Sequence, residues 1–219
     1  MKNKFLALSF DDGTIKDERL VPLLNRYGIK ASFHLNAGMI PLDGKIGQYD
    51  RLPLTCLQHL YSGHEVATHS FSHPDLTQLS KKEILDELTK DIAGLNAYFD
   101  QETNGFAYPF GLFSPTVIEV LKKTPLVYAR TIRDTFGFAL PTDPYLLDPT
   151  CHVNDAGLMD LTEAFLKEEN DRKFFLIWGH SFEFDTKVDW DRFENFLKRI
   201  SHHQDVFYGT IPECLDAMK

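Results

Sequence analysis

The chain has 219 residues, 32 of them acidic and 23 basic, for a net charge of −9. With 43% hydrophobic and 25% charged residues it holds enough apolar material for a sizeable core, which excludes a disordered chain. The acidic balance and the lack of any run of Lys and Arg exclude a general nucleic-acid binder.

From the N-terminus, Phe5–Phe10 reads as a buried strand that ends in the turn-like Asp11-Asp12-Gly13-Thr14. Its apolar run stops at Ser9, too soon for the core of a signal peptide, and nothing in the chain reaches the roughly 18 apolar residues of a membrane span. Three scattered cysteines (Cys56, Cys151, Cys214) form no disulfide framework or zinc-finger spacing. These features point to a cytoplasmic protein with no membrane partner. Asp17–Tyr27 reads as a helix stopped by Gly28, and Ala31–Leu35 as a second strand. Leu52–Ser62 is a helix ending at Gly63, and Glu65–Thr68 a short strand. Ser80 and Glu83 form a capping box for a long helix whose apolar face is Ile84, Leu85, Leu88, Ile92, Leu95 and Phe99.

The alternation continues. Gly105–Tyr108 is a strand, and Ser114-Pro115 opens a helix through Lys122. Strands are expected at Leu126–Thr131, Thr150–Val153, Phe174–Trp178 and Val206–Gly209, and helices at Leu158–Glu169 and Trp190–Ile200. Asp185–Asp191 reads as a solvated acidic loop. Repeated strand–helix units predict an α/β fold, a parallel sheet with covering helices, as one domain over residues 1–219. Seven or eight strands suit a closed or nearly closed barrel. An open doubly wound sheet is the alternative that periodicity leaves open.

In such folds functional residues gather at the C-terminal ends of strands. Asp11 and Asp12 end the first strand, His69 and His73 follow the third, Tyr108-Pro109-Phe110-Gly111 the fourth, and His180 the seventh. Two adjacent carboxylates repel unless a cation lies between them or one is protonated. A solvated turn explains the same pair equally well. His69 and His73 are four apart, which in a helical turn puts both rings on one side. Alone, they read as loop histidines. With Asp12 they make a set of two imidazoles and one carboxylate that leaves positions open on a metal. His34, at the end of the second strand, and His152, beside Cys151, are uncommitted candidates. The pair His202-His203 reads as solvated residues near a helix end.

These residues resemble the polysaccharide deacetylase (NodB homology) family. Ser9-Phe10-Asp11-Asp12-Gly13 is similar to its Thr-Phe-Asp-Asp-Gly motif, and His69-Ser70-Phe71-Ser72-His73 to its His-(Ser/Thr)-x-x-His motif. Tyr108-Pro109-Phe110-Gly111 resembles Arg-Pro-Pro-Tyr-Gly, and Phe175–His180 the apolar strand that ends in histidine. The resemblance implies a distorted (β/α) barrel of seven or so strands and removal of N-acetyl groups from an amino-sugar glycan. It implies one divalent metal, zinc first with cobalt or nickel as alternatives, on Asp12, His69 and His73. Asp11 would be the general base and His180 the general acid. The Phe110 N–H would hold the oxyanion, Trp178 would wall the acetyl pocket, and Tyr108 and Pro109 would help bind the carbohydrate. The motif's arginine falls at Ala107, so Arg130 is the candidate replacement. No Asp-x-x-Asp-Trp motif is present, which leaves Asp134 and Glu183 as candidate partners of His180. An amidase or imidase on a small non-sugar bond, and a carbohydrate-binding module without turnover, are the other readings.

Overall fold

The computed structural model describes residues 2–167 and 171–219. Its elements run β1 (Lys4–Asp11), α1 (Asp17–Arg26), β2 (Ala31–Leu35), α2 (Leu54–Leu60), β3 (Glu65–Thr68), α3 (Lys81–Phe99), β4 (Gly105–Ala107) and α4 (Pro115–Leu121). They continue with β5 (Tyr128–Arg130), β6 (Cys151–His152), α5 (Leu158–Leu166), β7 (Lys173–His180), α6 (Lys187–Ile200), β8 (Val206–Tyr208) and α7 (Ile211–Ala217). The expected end of the fifth helix at Glu169 lies outside the described residues. No described helix is long and apolar enough to cross a membrane.

The sheet order is β5-β4-β3-β2-β1-β7-β6, and every pairing is parallel. β7 takes one edge of β1 along its whole length, while β8 and β2 share the other, at Lys4–Leu6 and Leu8–Asp11. The segment entering β6 draws the sheet ends together. Leu147 exchanges backbone bonds with Ala129 and Thr131 of the β5 side, and the Thr150 N–H donates to Leu176 of β7. The sheet therefore curls into a distorted barrel, and the open doubly wound alternative is set aside.

Strand alternation then sorts side chains between two cores. Leu6, Leu8 and Phe10 of β1 pack with Leu20, Leu24, Phe193 and Phe196 of the outer helices. Phe5 and Ala7 instead meet Tyr128, Leu147, Phe174 and Leu176 inside the barrel. Ser9 and Asp11 continue that inner face toward the rim, joined by His34 from β2 and Arg130 from β5. Gly105 makes room inside: a Cβ there would lie 2.3 Å from the Tyr128 ring.

Two expectations are corrected, and one helix went unforeseen. Leu85 is 38% exposed, because it stands about 100° round the helix from buried Ile84. Asp185–Asp191 is not a loop throughout. Thr186 and Asp189 form a capping box that starts α6 at Lys187. The last helix, α7, was not expected, although Thr210-Ile211-Pro212-Glu213 carries both an early proline and a capping box.

Candidate active site

Register brings the rim together. Asp11, the last residue of β1, pairs with His34 on one side and His180 on the other. Asp11 is buried, and Arg130 on β5 bonds its Oδ2. Burial alone would raise the Asp11 pKa, but the Arg130 charge, then His69 and His34, hold it well below the carboxylate range. Asp11 is therefore ionised. Arg130 also lies 5.1 Å from the Trp178 ring in a cation–π contact.

Beneath Asp11 runs a buried chain of polar groups. Asp11 Oδ1 is 3.3 Å from His34 Nδ1, His34 Nε2 is 3.0 Å from the Tyr128 hydroxyl, and that hydroxyl is 3.1 Å from Glu65 Oε1. Burial pushes the Glu65 pKa up to about 7, with Ser32 and Tyr128 opposing it. The Tyr128 hydroxyl donates to Glu65 Oε1, so this buried carboxyl closes the foot of the chain.

The metal-type set also forms. One ligand atom from each of Asp12, His69 and His73 lies within 4.8 Å of the others. The His69 and His73 Nε2 atoms face each other at 3.1 Å. This is not the helical turn expected from their spacing. Residues 69–73 form an irregular loop in which Ser70 and His73 have φ of +65° and +56°. His69 Nδ1 lies 2.8 Å from the Ala107 carbonyl, which must accept a proton from it. The ring's lone pair is therefore on Nε2, the arrangement of a metal-binding histidine. Burial lowers the His69 pKa, and burial followed by His69 lowers that of His73 to about 4, so both rings are neutral. Arg51 bonds the Asp12 backbone carbonyl and its Oδ1, the latter at 2.7 Å. No sequence pattern marked Arg51, which arrives on the long loop between β2 and α2.

His180 Nε2 is 3.9 Å from both Asp11 Oδ2 and Asp12 Oδ2. Its other nitrogen, Nδ1, is 3.4 Å from Glu183 Oε1. Burial alone would lower the His180 pKa, but the Glu183 carboxylate beside it and the Asp11 and Asp12 charges outweigh it and raise it. Of the two candidate carboxylates, Glu183 partners His180. Asp134 instead accepts from Trp178 Nε1 at 2.8 Å and steadies the indole.

Asp11, Asp12, His69, His73, Phe110, Trp178 and His180 surround a cavity of about 250 Å³. Gly111, from the fourth strand-end motif, also lines it, and so does Ile132, which was not expected. A Cβ on Gly111 would lie 2.2 Å from Ile132. A larger cavity of about 610 Å³ adjoins it through Asp12, His73 and Phe110 and extends to Tyr49, Arg51 and Phe182. Of the expected substrate contacts, Tyr108 lines the smaller cavity while its hydroxyl donates to the Tyr145 carbonyl, and Pro109 is buried outside the lining of either cavity. Asp12 and Phe110 also hold positive φ, +83° and +57°. Backbone strain thus collects around this mouth.

The polysaccharide deacetylase profile matches residues 1–129. The peptidoglycan-N-acetylglucosamine deacetylase PgdA of Listeria monocytogenes is 32% identical over 102 residues, which are 45% of this chain and 19% of that protein. The chain covers well under two thirds of the length of such curated relatives. A polysaccharide deacetylase structure from Mycobacterium smegmatis, described as putative, superposes with a TM-score of 0.70 at 14% identity, covering 99% of this chain and 90% of that one. A family 4 carbohydrate esterase pseudoenzyme from Bacillus anthracis superposes with a TM-score of 0.64 at 20% identity, covering 99% and 67%. At these identities the structures establish the shared fold, while the profile spans more than half of the chain and includes the two motifs that supply Asp11, Asp12, His69 and His73. The chain belongs to the polysaccharide deacetylase family.

Proposed function

We propose that the chain is a metal-dependent hydrolase that removes N-acetyl groups from an amino-sugar glycan or oligosaccharide. One observation carries this reading: Asp12, His69 and His73 converge in the cavity that also holds Asp11 and His180. Two neutral imidazoles and a carboxylate suit a divalent ion such as zinc, with cobalt or nickel as alternatives. When bound, that ion supplies polarisation of the acetyl carbonyl and activation of water.

The remaining work falls to the chain's own side chains. Asp11 accepts the proton of the attacking water. Its ion pair with Arg130 sacrifices base strength for permanent ionisation and a fixed direction. The Phe110 N–H supports the developing oxyanion, a contribution of roughly 3 kcal/mol for one such donor. His180, held protonated beside Glu183, gives its Nε2 proton to the leaving amine. Trp178 closes the wall where the acetyl group sits. A module that only binds carbohydrate needs neither a base nor an acid, so the paired placement of Asp11 and His180 favours turnover.

Acetate release from N-acetylglucosamine oligomers tests the reading, with metal content measured in parallel. Wild type is expected to hold about one equivalent of metal and to release acetate. His69→Ala and Asp12→Ala should lose the metal, while Asp11→Asn keeps it and loses turnover. Release of product only from cyclic amides would favour the imidase reading. Oligosaccharide binding with no acetate release under zinc, cobalt or nickel would favour the binding module.

A further inference from the structure

His152 was left without a role by the sequence, and its surroundings supply one. It ends β6 with its ring 4.7 Å from that of Trp178. Its Nδ1 accepts the Asn154 N–H at 3.1 Å. The ring proton of the neutral form is therefore on Nε2, which lies 3.0 Å from Glu183 Oε2. The same Glu183 oxygen accepts the His180 backbone N–H at 3.0 Å, and the other lies 3.4 Å from His180 Nδ1. Burial alone would raise the Glu183 pKa, yet His152 and then His180 bring it down to about 2. Glu183 is a carboxylate held between two imidazoles.

His152, His180 and Glu183 also have metal-like spacing, with one atom from each within 4.8 Å of the others. The tautomer argues against that use. A ligating imidazole offers a lone pair to the ion and donates from its other nitrogen, as His69 does toward Ala107. His152 does the reverse, accepting at Nδ1 and presenting a proton at Nε2.

We propose that His152 is a positioning residue for leaving-group protonation: it anchors the Glu183 carboxylate that orients His180. The inference rests on the hydrolase reading above. In the step concerned, the C–N bond breaks and its electron pair goes to nitrogen, which takes the Nε2 proton of His180. The acyl carbon leaves as acetate, since water has supplied its second oxygen and Asp11 has taken the water's proton. Neither His152 nor Glu183 changes charge. The anchor is needed because Glu183 stands on a short turn after β7 with its side chain 26% exposed. An unanchored glutamate has several rotamers to lose before it can align an imidazole.

The test compares His152→Ala and His152→Gln on two substrates. One is an N-acetylglucosamine oligomer, whose amine must be protonated to leave. The other is 4-nitrophenyl acetate, whose phenolate leaves without an acid. His152→Ala is expected to lower kcat on the amide by about 10–100-fold, with little change in KM or in ester turnover. His152→Gln keeps an N–H donor and should recover most of the amide activity. Equal losses on both substrates, no loss on the amide, or a glutamine variant as poor as the alanine one would overturn the proposal. If wild type turns over neither substrate, the hydrolase reading fails, and nitrogen NMR then decides the positioning claim alone. It should find the His152 proton on Nε2 and a His180 Nδ1 signal that moves in His152→Ala. An unmoved signal, or a second equivalent of zinc bound by wild type and lost in that variant, would overturn it.

Discussion

Ala107 on β4 and Arg130 on β5 are partners in the parallel ladder, and Arg130 bonds the Asp11 carboxylate from that level. The family motif that this chain resembles carries its arginine at the Ala107 position. Here the charge reaches the aspartate from the neighbouring strand at the same height. Arg130→Ala should cut turnover more than 100-fold. It should also destabilise the fold by about 3–5 kcal/mol, because it strands a buried carboxylate. Adding Ala107→Arg to that variant is expected to restore part of both. Urea melts and kcat together decide the matter, and a double variant no better than Arg130→Ala would show that the two positions are not interchangeable.

Arg51 bonds both the backbone carbonyl and a carboxylate oxygen of Asp12. Arg51→Ala should leave the fold intact and weaken zinc or cobalt binding by about 10–100-fold, as loss of an outer partner of a ligand commonly does. Equilibrium dialysis measures this directly. Unchanged affinity would mean that Asp12 is held in place by something other than Arg51.

Metal binding should also register as stability. At a free zinc concentration of about 100 times Kd, the folded state gains roughly 2.7 kcal/mol. Thermal melts of wild type should therefore shift upward with zinc and return on chelation. His73→Ala should show no such shift, and an equal shift in that variant would place the ion elsewhere.

Buried acids give stability a pH dependence of defined sign. Burial raises Glu65, Asp17 and Asp91 to about 7 in the folded protein, against ordinary values of 4.5 for Glu65 and 3.8 for the two aspartates. The folded state thus holds protons that the unfolded chain has released. Their contribution is complete below about pH 4 and is lost as pH rises through 7. For Glu65 the shift corresponds to on the order of 3 kcal/mol. Glu65→Gln keeps an acceptor oxygen for the Tyr128 hydroxyl and does not titrate, so it should flatten the decline between about pH 4.5 and 7 in thermal melts. A decline as steep as wild type would mean that Glu65 is already ionised.

The strands and the rim residues were legible because both obey short-range rules. A buried strand shows as an apolar run, and parallel strands place their C-terminal ends on one face. The identities of the supporting partners were not legible. His34 contacts Asp11 only because β1 and β2 pair in one particular register. Glu183 rather than Asp134 meets His180 because the turn after β7 folds back on its own strand, while Asp134 is taken by Trp178. The spacing of His69 and His73 suggested a helical turn, yet two left-handed residues achieve the same meeting of rings. Spacing constrains which side chains can meet, and the backbone path between them depends on contacts distant in sequence, such as the hydrogen bonds from Asn36 to the carbonyls of His69 and Ser70.

Asp12, Ser70, His73 and Phe110 all hold a backbone shape that L-residues disfavour. Each such residue stores on the order of 1–3 kcal/mol. Heat resistance and the aim of the clustered side chains therefore pull this mouth in opposite directions. A glycine at Ser70 or Phe110 would relax the chain locally and harden it against melting, yet would loosen the loops that aim the imidazoles. Evolution toward hotter conditions would have to reinforce the outer helices and leave these four awkward hinges as they are.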